Sequence, residues 1–160
     1  MKKVLSILIS LTFIFLLTFS SSASFEPSNP NTYSSVEYFE DGSYLEIVII
    51  EELSTSLPKE TRTSKLGSKK LTYKNANDET EWSAPISGTF TYNGSSCTCT
   101  SSSISYSIEN TKWKIPSATA SKSGNKAIGN VTAKYYVLGV LIKTVEKSVT
   151  LTCSATGVLS

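Results

Sequence analysis

An alternating stretch from Glu81 to Cys99 constrains the fold more than any other part of the chain. Apolar or small residues occupy every second position, with mostly polar residues between them: Trp82, Ala84, Ile86, Gly88, Phe90 and Tyr92. A period of two is typical of a β-strand with one buried and one solvated face. The stretch therefore predicts a strand whose even-numbered side chains enter the core.

The dipeptide Asn93-Gly94 follows this strand directly. Asn-Gly is the preferred pair for a two-residue type I′ turn, which needs a positive φ at both central residues. Such a turn pairs Phe90 with Cys97 and Gly88 with Cys99. Both cysteines are then expected on the buried face of the next strand.

Other short β patterns follow along the chain, separated by turn signals such as Asp41-Gly42 and Asn75–Asp78. The predicted strands are 44–50, 61–74 with a break at Gly67 and with Leu71 and Tyr73 inward, an inward set of Ile104, Tyr106 and Ile108 after a bulge, Trp113 and Ile115, Val131 to Val137, and Val145 to Cys153. No segment after the N-terminal apolar run has a sustained 3.6-residue period. We therefore predict an all-β fold, an antiparallel β-sandwich that is immunoglobulin-like in general architecture.

The N-terminus predicts export. Lys2-Lys3 precede an apolar run from Val4 to Phe19, and the small residues Ser21-Ser22-Ala23 close it. This order is typical of a secretory signal peptide, residues 1–23, cleaved between Ala23 and Ser24. An uncleaved anchor is the alternative, but the run is shorter than the roughly 20 apolar residues that a span needs. We expect a secreted, extracellular protein with no membrane span after cleavage, a flexible N-terminal arm over residues 24–35, and a single β-sandwich domain over residues 36–160.

The charge of the mature chain is balanced but unevenly distributed. Removing Lys2 and Lys3 from the 15 basic residues leaves 13, against 13 acidic residues. A chain without basic excess argues against nucleic acid as a partner. Residues 24–60 hold eight acids and one base, whereas residues 61–160 hold five acids and 12 bases. We expect the acidic segment to pack against the basic body; in the alternative, one of the two surfaces meets a charged cell wall or another extracellular protein.

The composition indicates that common catalytic arrangements are missing. The chain has no histidine, which excludes Ser-His-Asp and Cys-His mechanisms. Ser121-Lys122, and Ser148 beside Lys147, are expected by chance in a chain this rich in serine. No pair of carboxylates is marked by its sequence context as an acid and base. We predict no catalytic residues and no enzyme activity.

The sequence predicts no metal or cofactor site. The three cysteines include a C-x-C pair at Cys97 and Cys99, with Cys153 far away. Without histidine this is a poor zinc set. The turn at Asn75–Asp78 has too few carboxylates at the spacing of a calcium loop.

In an exported chain, three cysteines favour one disulfide and one leftover thiol. Cys97 and Cys99 lie two residues apart on one strand, where a bridge between them would be strained. One of them is therefore expected to pair with Cys153. The alternation of side chains does not choose between them, because both lie on the same face.

The run from Tyr135 to Ile142 is mostly apolar. Contact with a membrane is one interpretation. Its length favours a buried hairpin end, with a turn or kink near Leu138-Gly139.

Five stretches of the chain have a distinctive pattern: G-T-F-T-Y-N-G-S-S-C-T-C-T-S-S-S at 88–103, W-K-I at 113–115, S-A-T-A-S-K-S-G-N at 117–125, V-T-A-K-Y-Y-V-L-G-V at 131–140 and S-V-T-L-T-C-S-A-T-G at 148–157. Together they resemble short, Ser/Thr-rich secreted proteins of Gram-positive bacteria. The group has no assigned activity, so the resemblance implies export and a β domain. It also implies that Cys99 and Cys153 form the disulfide. The predicted hairpin register agrees, because it sets Cys99 opposite Gly88 and leaves Cys97 beside Phe90 as a buried thiol.

Function is unknown at this level. Our leading hypothesis is a secreted, non-enzymatic β-sandwich that binds, or has a structural role, at the cell envelope or outside the cell. A secreted effector, toxin-like or bacteriocin-like, is the alternative, and a hydrolase is a third class. A groove that gathers Tyr, Trp and carboxylates would be the structural sign of a binding site.

Overall fold

Nine antiparallel strands form two sheets in the part of the chain that the computed structural model describes, residues 33–51 and 63–160. In chain order they are β1 (Tyr33–Tyr38), β2 (Tyr44–Glu51), β3 (Thr63–Lys74), β4 (Thr80–Tyr92), β5 (Cys97–Ile104), β6 (Ser107–Ile108), β7 (Trp113–Ser123), β8 (Lys126–Val137) and β9 (Val140–Thr152). The first sheet has the order β1-β2-β3-β4-β5, with β6 also paired to β4, and the second has the order β7-β8-β9. The predicted all-β, antiparallel sandwich is confirmed.

Within each sheet, strands that follow one another in the chain are neighbours, except that the short β6 pairs with β4 rather than with β5. An immunoglobulin domain instead alternates between its sheets through Greek-key connections. The immunoglobulin-like part of the prediction is not confirmed.

Strand β4 lies inside the first sheet and supplies the centre of the core. The even-numbered side chains from Trp82 to Phe90 that have a Cβ are fully buried, as the alternation predicted. The facing sheet approaches closely: a Cβ on Gly129 of β8 would lie 1.9 Å from Ile86 Cδ1. Glycine at position 129 therefore allows Ile86 to pack against the backbone of the second sheet.

Strand β3 is continuous, so the predicted break at Gly67 is wrong. Gly67 pairs with Gly88 within the ladder. A Cβ at position 67 would lie 2.1 Å from Leu159 Cδ1. The glycine provides space for the buried Leu159 side chain near the C-terminus, whereas Leu71 and Tyr73 are buried as predicted.

The two-residue turn predicted at Asn93-Gly94 is also wrong. The loop has four residues, 93–96, so that Tyr92 pairs with Cys97 and Phe90 with Cys99. The Asn93 side chain stabilises the wider loop, because its Oδ1 accepts hydrogen bonds from the backbone N of Ser95 at 3.1 Å and of Ser96 at 2.9 Å. The shift of two residues keeps both cysteines on the expected face but removes Cys99 from its predicted place opposite Gly88.

The predicted bulge in β5 is present. Thr89 pairs with Ser101 and Phe90 with Cys99, so Thr100 is the extra residue. The inward position predicted for Tyr106 is wrong, since its side chain is 52% exposed.

Acidic residues of β1, β2 and their turn bind lysines elsewhere in the domain. The ion pairs are Glu37–Lys147, Asp41–Lys143, Glu46–Lys74 and Glu51–Lys65. The expectation that the acidic segment packs against the basic body is thereby confirmed for the described residues.

Residues 1–23, with Ala23 and Ser24 at the predicted cleavage site, lie outside the described residues. The predicted arm ended at residue 35, but β1 begins at Tyr33. Its last three residues therefore belong to a strand.

Candidate functional site

A cleft of about 320 Å³ opens at one end of the sandwich. It is lined by two turns of the first sheet and by residues of the second: Asp41, Ser43, Tyr73, Asn75, Ala76, Asn77, Glu81, Trp113, Tyr135 and Lys143. The β1–β2 turn supplies Asp41, and the β3–β4 turn supplies Asn75–Asn77. Tyr135 and Lys143 face each other where the β8–β9 hairpin leaves the body of the domain.

Four polar side chains form a closed ring across the cleft. Lys143 Nζ donates to Asp41 Oδ2 at 2.7 Å and to Tyr73 Oη at 2.7 Å. Tyr73 Oη donates to Ser43 Oγ at 2.7 Å, and Ser43 Oγ donates to Asp41 Oδ1 at 2.5 Å. The ring joins β9 to the first sheet and gives each of these polar groups a partner.

The hydrogen bonds of the ring favour the charged forms of Asp41 and Lys143. The pKa of Asp41 is lowered to about 2, chiefly by the hydrogen bond from Lys143 and then by that from Ser43. Burial acts to lower the pKa of Lys143, but hydrogen bonds to Asp41 and Tyr73 outweigh it and raise the pKa. At neutral pH the cleft therefore holds a carboxylate and an ammonium that neutralise each other.

Glu81 is a second fixed carboxylate, placed by a β-bulge. Lys74 pairs with Thr80 and Tyr73 with Trp82, so Glu81 has no cross-strand partner. A bulged residue is re-aimed relative to the pleat, and bulges are common beside functional sites. Neighbouring side chains in a regular strand point to opposite faces, so Glu81 would lie on the face opposite the buried Trp82. Glu81 is nevertheless only 7% exposed.

Three side-chain N–H groups hold the Glu81 carboxylate. Its Oε1 accepts from Asn75 Nδ2 at 2.8 Å. Its Oε2 accepts from Asn110 Nδ2 at 2.6 Å and from Trp113 Nε1 at 2.9 Å. A buried carboxylate needs such donors to offset the loss of hydration.

An aromatic cluster forms the wall of the cleft. Trp113 lies with its ring centroid 4.9 Å from that of Tyr73 and 5.2 Å from that of Tyr135. Tyr73 also stacks on Trp82, with centroids 5.6 Å apart. Tyr73 and Trp113 are almost fully buried, whereas Tyr135 is half-buried and offers part of its ring to the cleft.

The ring resembles a Ser/Lys/Tyr catalytic arrangement in composition but not in charge state. A serine nucleophile needs a neighbouring base to take its proton. Lys143 already carries its proton at neutral pH, and Asp41 is a weak base because its pKa is low. These residues are better suited to binding polar groups than to activating Ser43.

A hairpin tip extends beyond the cleft, and the prediction that it is buried is wrong. Its apolar residues are exposed to 38–100%: Val137, Leu138, Val140, Leu141 and Ile142. The tip continues past the pair Tyr135–Lys143, which is the point at which β9 contacts Tyr73 of the first sheet. No described residue covers it.

The cysteines lie at the opposite end of β4 from the cleft, and their thiols are free. The turn between β7 and β8 binds the backbone of both buried cysteines. Cys99 N donates to Gly124 O at 2.8 Å, and Cys153 N donates to Asn125 O at 3.0 Å. The thiols are arranged differently: that of Cys99 donates to Ser101 O at 3.2 Å. The pKa of Cys153 is raised to about 12 by burial and by a hydrogen bond with the Cys97 thiol. The predicted Cys99–Cys153 disulfide loses its argument from the hairpin register, because Cys99 pairs with Phe90 and Cys97 with Tyr92.

The Ser/Lys neighbours noted in the sequence do not form sites. Lys122 donates to the backbone O of Thr100, and Lys147 pairs with Glu37. No group of three or more His, Cys, Asp or Glu side chains is placed to hold a metal ion within residues 33–51 and 63–160. In the same part of the chain, no helix is long and apolar enough to cross a membrane.

Sequence reasoning missed the polar residues of the cleft. Lys143 and Asp41 are 102 positions apart, and nothing in the local pattern of either indicates the contact. No protein-family model matches the chain, and no curated protein or solved structure is significantly similar to it. The cleft and the hairpin tip are therefore the features from which a function must be argued.

Proposed function

We propose that this is a secreted, non-enzymatic binding protein whose cleft takes a neutral, hydroxyl-rich ligand of the cell envelope, such as a wall glycan. The observation that carries the proposal is the cleft itself, which brings Tyr135, Trp113 and the two carboxylates of Asp41 and Glu81 to one opening. Ligand sites typically combine an apolar or aromatic wall with a few fixed polar groups.

The charge state of the cleft favours a neutral ligand. Asp41 is paired with Lys143, and the Glu81 carboxylate accepts three N–H donors. A charged ligand would have to compete with these partners. Hydroxyl groups can add hydrogen bonds to the remaining lone pairs of a carboxylate without breaking an ion pair.

The walls favour a ligand with a flat apolar face. Tyr135 is half-buried and exposes part of its ring, which has a negative face that attracts C–H groups. Asn77 is exposed on the opposite turn, and its side-chain amide makes no hydrogen bond to the described residues. A sugar ring offers both an apolar C–H face and peripheral hydroxyl groups.

The test is retention of the purified mature protein on insoluble Gram-positive wall glycan. We expect Tyr135→Leu and Asn77→Ala each to weaken retention by about fivefold or more, since a central contact is worth at least about 1 kcal/mol. The matched controls are Tyr106→Leu and Asn130→Ala, at exposed positions outside the cleft. Retention that is equal in all four variants would contradict the proposal, and so would no retention of the unmodified protein.

The exposed hairpin favours one second candidate, a membrane-active effector. Release of dye from vesicles together with killing of related strains would support that function. Binding to the envelope without release of dye supports the binding protein.

A further inference from the structure

We propose that the tip of the β8–β9 hairpin, Val137 to Ile142, docks on the surface of an anionic lipid membrane by inserting its apolar side chains among the lipids. This site adjoins the cleft at Tyr135, but its ligand class does not depend on what the cleft binds. The argument rests on the exposure of the tip, its two apolar faces, its turn and its basic surroundings.

The tip is apolar on both faces of the hairpin. Val137 pairs with Val140, and Tyr136 pairs with Leu141 across a local irregularity. In a strand, successive side chains point to opposite faces. Because consecutive residues of the tip are apolar, both faces of the hairpin are apolar. Docking on another protein would need only one apolar face. An apolar group on every side fits immersion in a lipid phase.

The turn carries a leucine that its backbone disfavours. Leu138 has a φ of 51° and Gly139 a φ of 83°, and the Leu138 side chain is 100% exposed. Asn or Gly is the usual residue at such a position, since a residue with a large side chain is strained there. Leu138 contributes no buried contact to the described domain, so its apolar side chain has no evident role in folding.

The length of the tip matches the depth of an interfacial anchor. Strands rise about 3.3 Å per residue, so the three steps from Tyr135 to Leu138 span about 10 Å. Interfacial segments bury their apolar face about 5–10 Å into the boundary between headgroups and acyl chains. The two strands of the hairpin pair the backbone groups that face each other as far as Val137 and Val140, which lowers the cost of removing those groups from water.

Aromatic and basic side chains surround the base of the tip. Tyr135 and Tyr136 stand where a membrane protein carries its interfacial aromatic residues. Lys114 lies over the Tyr136 ring, 5.3 Å from its centroid. Lys114 also faces Lys134 directly across β7 and β8.

A like-charge pair directly opposite in a sheet is destabilising. Lys112 is exposed beside this pair, and its backbone O accepts from Tyr136 N at 2.9 Å. None of the five ion pairs within the described residues involves any of these three lysines. Anionic headgroups would neutralise this cluster, which is why the proposal commits to an anionic membrane.

Co-sedimentation with phosphatidylglycerol and with phosphatidylcholine vesicles tests the proposal. The variant Leu138→Asn removes the apolar side chain and supplies a residue that tolerates the positive φ. We expect it to reduce binding to phosphatidylglycerol vesicles about tenfold or more while its thermal midpoint is equal to or above that of the unmodified protein. Val158→Asn is the control, because Val158 is 54% exposed but lies outside the hairpin.

The charge component has its own variants. Lys114→Gln and Lys134→Gln should each weaken binding to phosphatidylglycerol vesicles about fivefold. Added salt should reduce this difference in binding between the unmodified protein and each lysine variant. Binding that is the same for Leu138→Asn and the unmodified protein overturns the proposal. It is also overturned if the unmodified protein forms a dimer that Leu138→Asn dissociates and does not bind vesicles, since the tip would then be covered by a second copy.

Discussion

Tyr135 and Lys143 are cross-strand partners in β8 and β9, and they separate the cleft from the apolar tip. Tyr135 packs against Trp113, and Lys143 crosses to Asp41 and Tyr73 of the first sheet. The same hairpin therefore forms one wall of the cleft and, a few residues further, the exposed tip. A ligand in the cleft would lie at the base of the tip.

The ring of Asp41 and Lys143 predicts how stability depends on acid. The folded pKa of Asp41 is about 2, against an ordinary value of 3.8. A carboxyl group with a lowered folded pKa adds stability above its unfolded pKa and loses it as the pH falls through the folded value. The contribution of Asp41 is therefore present above about pH 4 and is lost between about pH 4 and pH 2.

We expect Asp41→Asn to lower the thermal midpoint at pH 6 and to approach the unmodified protein at pH 2. Thermal unfolding followed by tryptophan fluorescence at both pH values measures the difference. A deficit of the same size at pH 2 and at pH 6 would show that the ion pair is not its cause.

The two buried tryptophans predict a contrast within one core. Trp113 Nε1 donates to Glu81 Oε2 at 2.9 Å, whereas Trp82 Nε1 has no hydrogen-bond partner among the described residues. Replacement by Phe removes the indole N–H and a similar volume at either site. A hydrogen bond to a charged group contributes about 1.5–3 kcal/mol.

We therefore expect Trp113→Phe to reduce the free energy of unfolding by about 1.5–3 kcal/mol more than Trp82→Phe does. Urea denaturation of the two variants measures the difference. Equal losses would count against the role of Glu81 as a charged acceptor.

The observed register changes the expected disulfide. Cys97 pairs with Tyr92, whose ring lies against Gly157, with ring atoms 2.4–2.8 Å from the place of a Cβ there. Gly94 N of the same loop donates to Ala155 O at 2.9 Å. The end of β5 that carries Cys97 thus meets the segment that follows Cys153, and after burial the neighbouring Cys97 thiol is the next cause of the raised pKa of Cys153.

We predict that oxidation links Cys97 to Cys153 rather than Cys99 to Cys153. The two thiols lose two protons and two electrons to a disulfide oxidant, which is reduced to two thiols. In the chain-entropy model, a closed loop of roughly 55 residues contributes about 4 kcal/mol. Cys97→Ala should remove this contribution, whereas Cys99→Ala should cost about 1–2 kcal/mol for a small cavity. Non-reducing peptide mapping of the oxidised protein gives the answer, and a peptide linking residues 99 and 153 would contradict the prediction.

Local periodicity is enough to predict the all-β class of the fold and which face of β4 is buried. In a half-buried strand every second residue is apolar, so the sequence alone identifies the buried face. It failed for β1, where Val36 and Tyr38 are 46% and 73% exposed and an acid, Glu37, faces a lysine of the other sheet. An edge strand of this kind has no alternating apolar face, so its sequence pattern does not predict a strand. The loop after β4 was misjudged because the Asn93 side chain stabilises a wider loop than the Asn-Gly pair favours.

The cleft depends on contacts that no local pattern reports. Glu81 enters the core through a bulge, and Lys143 reaches ring residues from two other segments of the chain, the β1–β2 turn and β3. The exposed hairpin was misjudged for a similar reason. An apolar run of that length is usually buried, and only the tertiary structure reveals that the run extends past the first sheet.

Sedimentation of purified protein comprising residues 24–160 with isolated Gram-positive envelopes tests most directly whether this end of the sandwich carries the function. The proteins compared are the unmodified chain, Asn77→Ala in the cleft, Leu138→Asn in the tip, and the controls Asn130→Ala and Val158→Asn. We expect the unmodified protein and both controls to sediment with the envelopes, and the cleft and tip variants each to bind less. Equal sedimentation of all five proteins, or no sedimentation of the unmodified chain, would contradict the account.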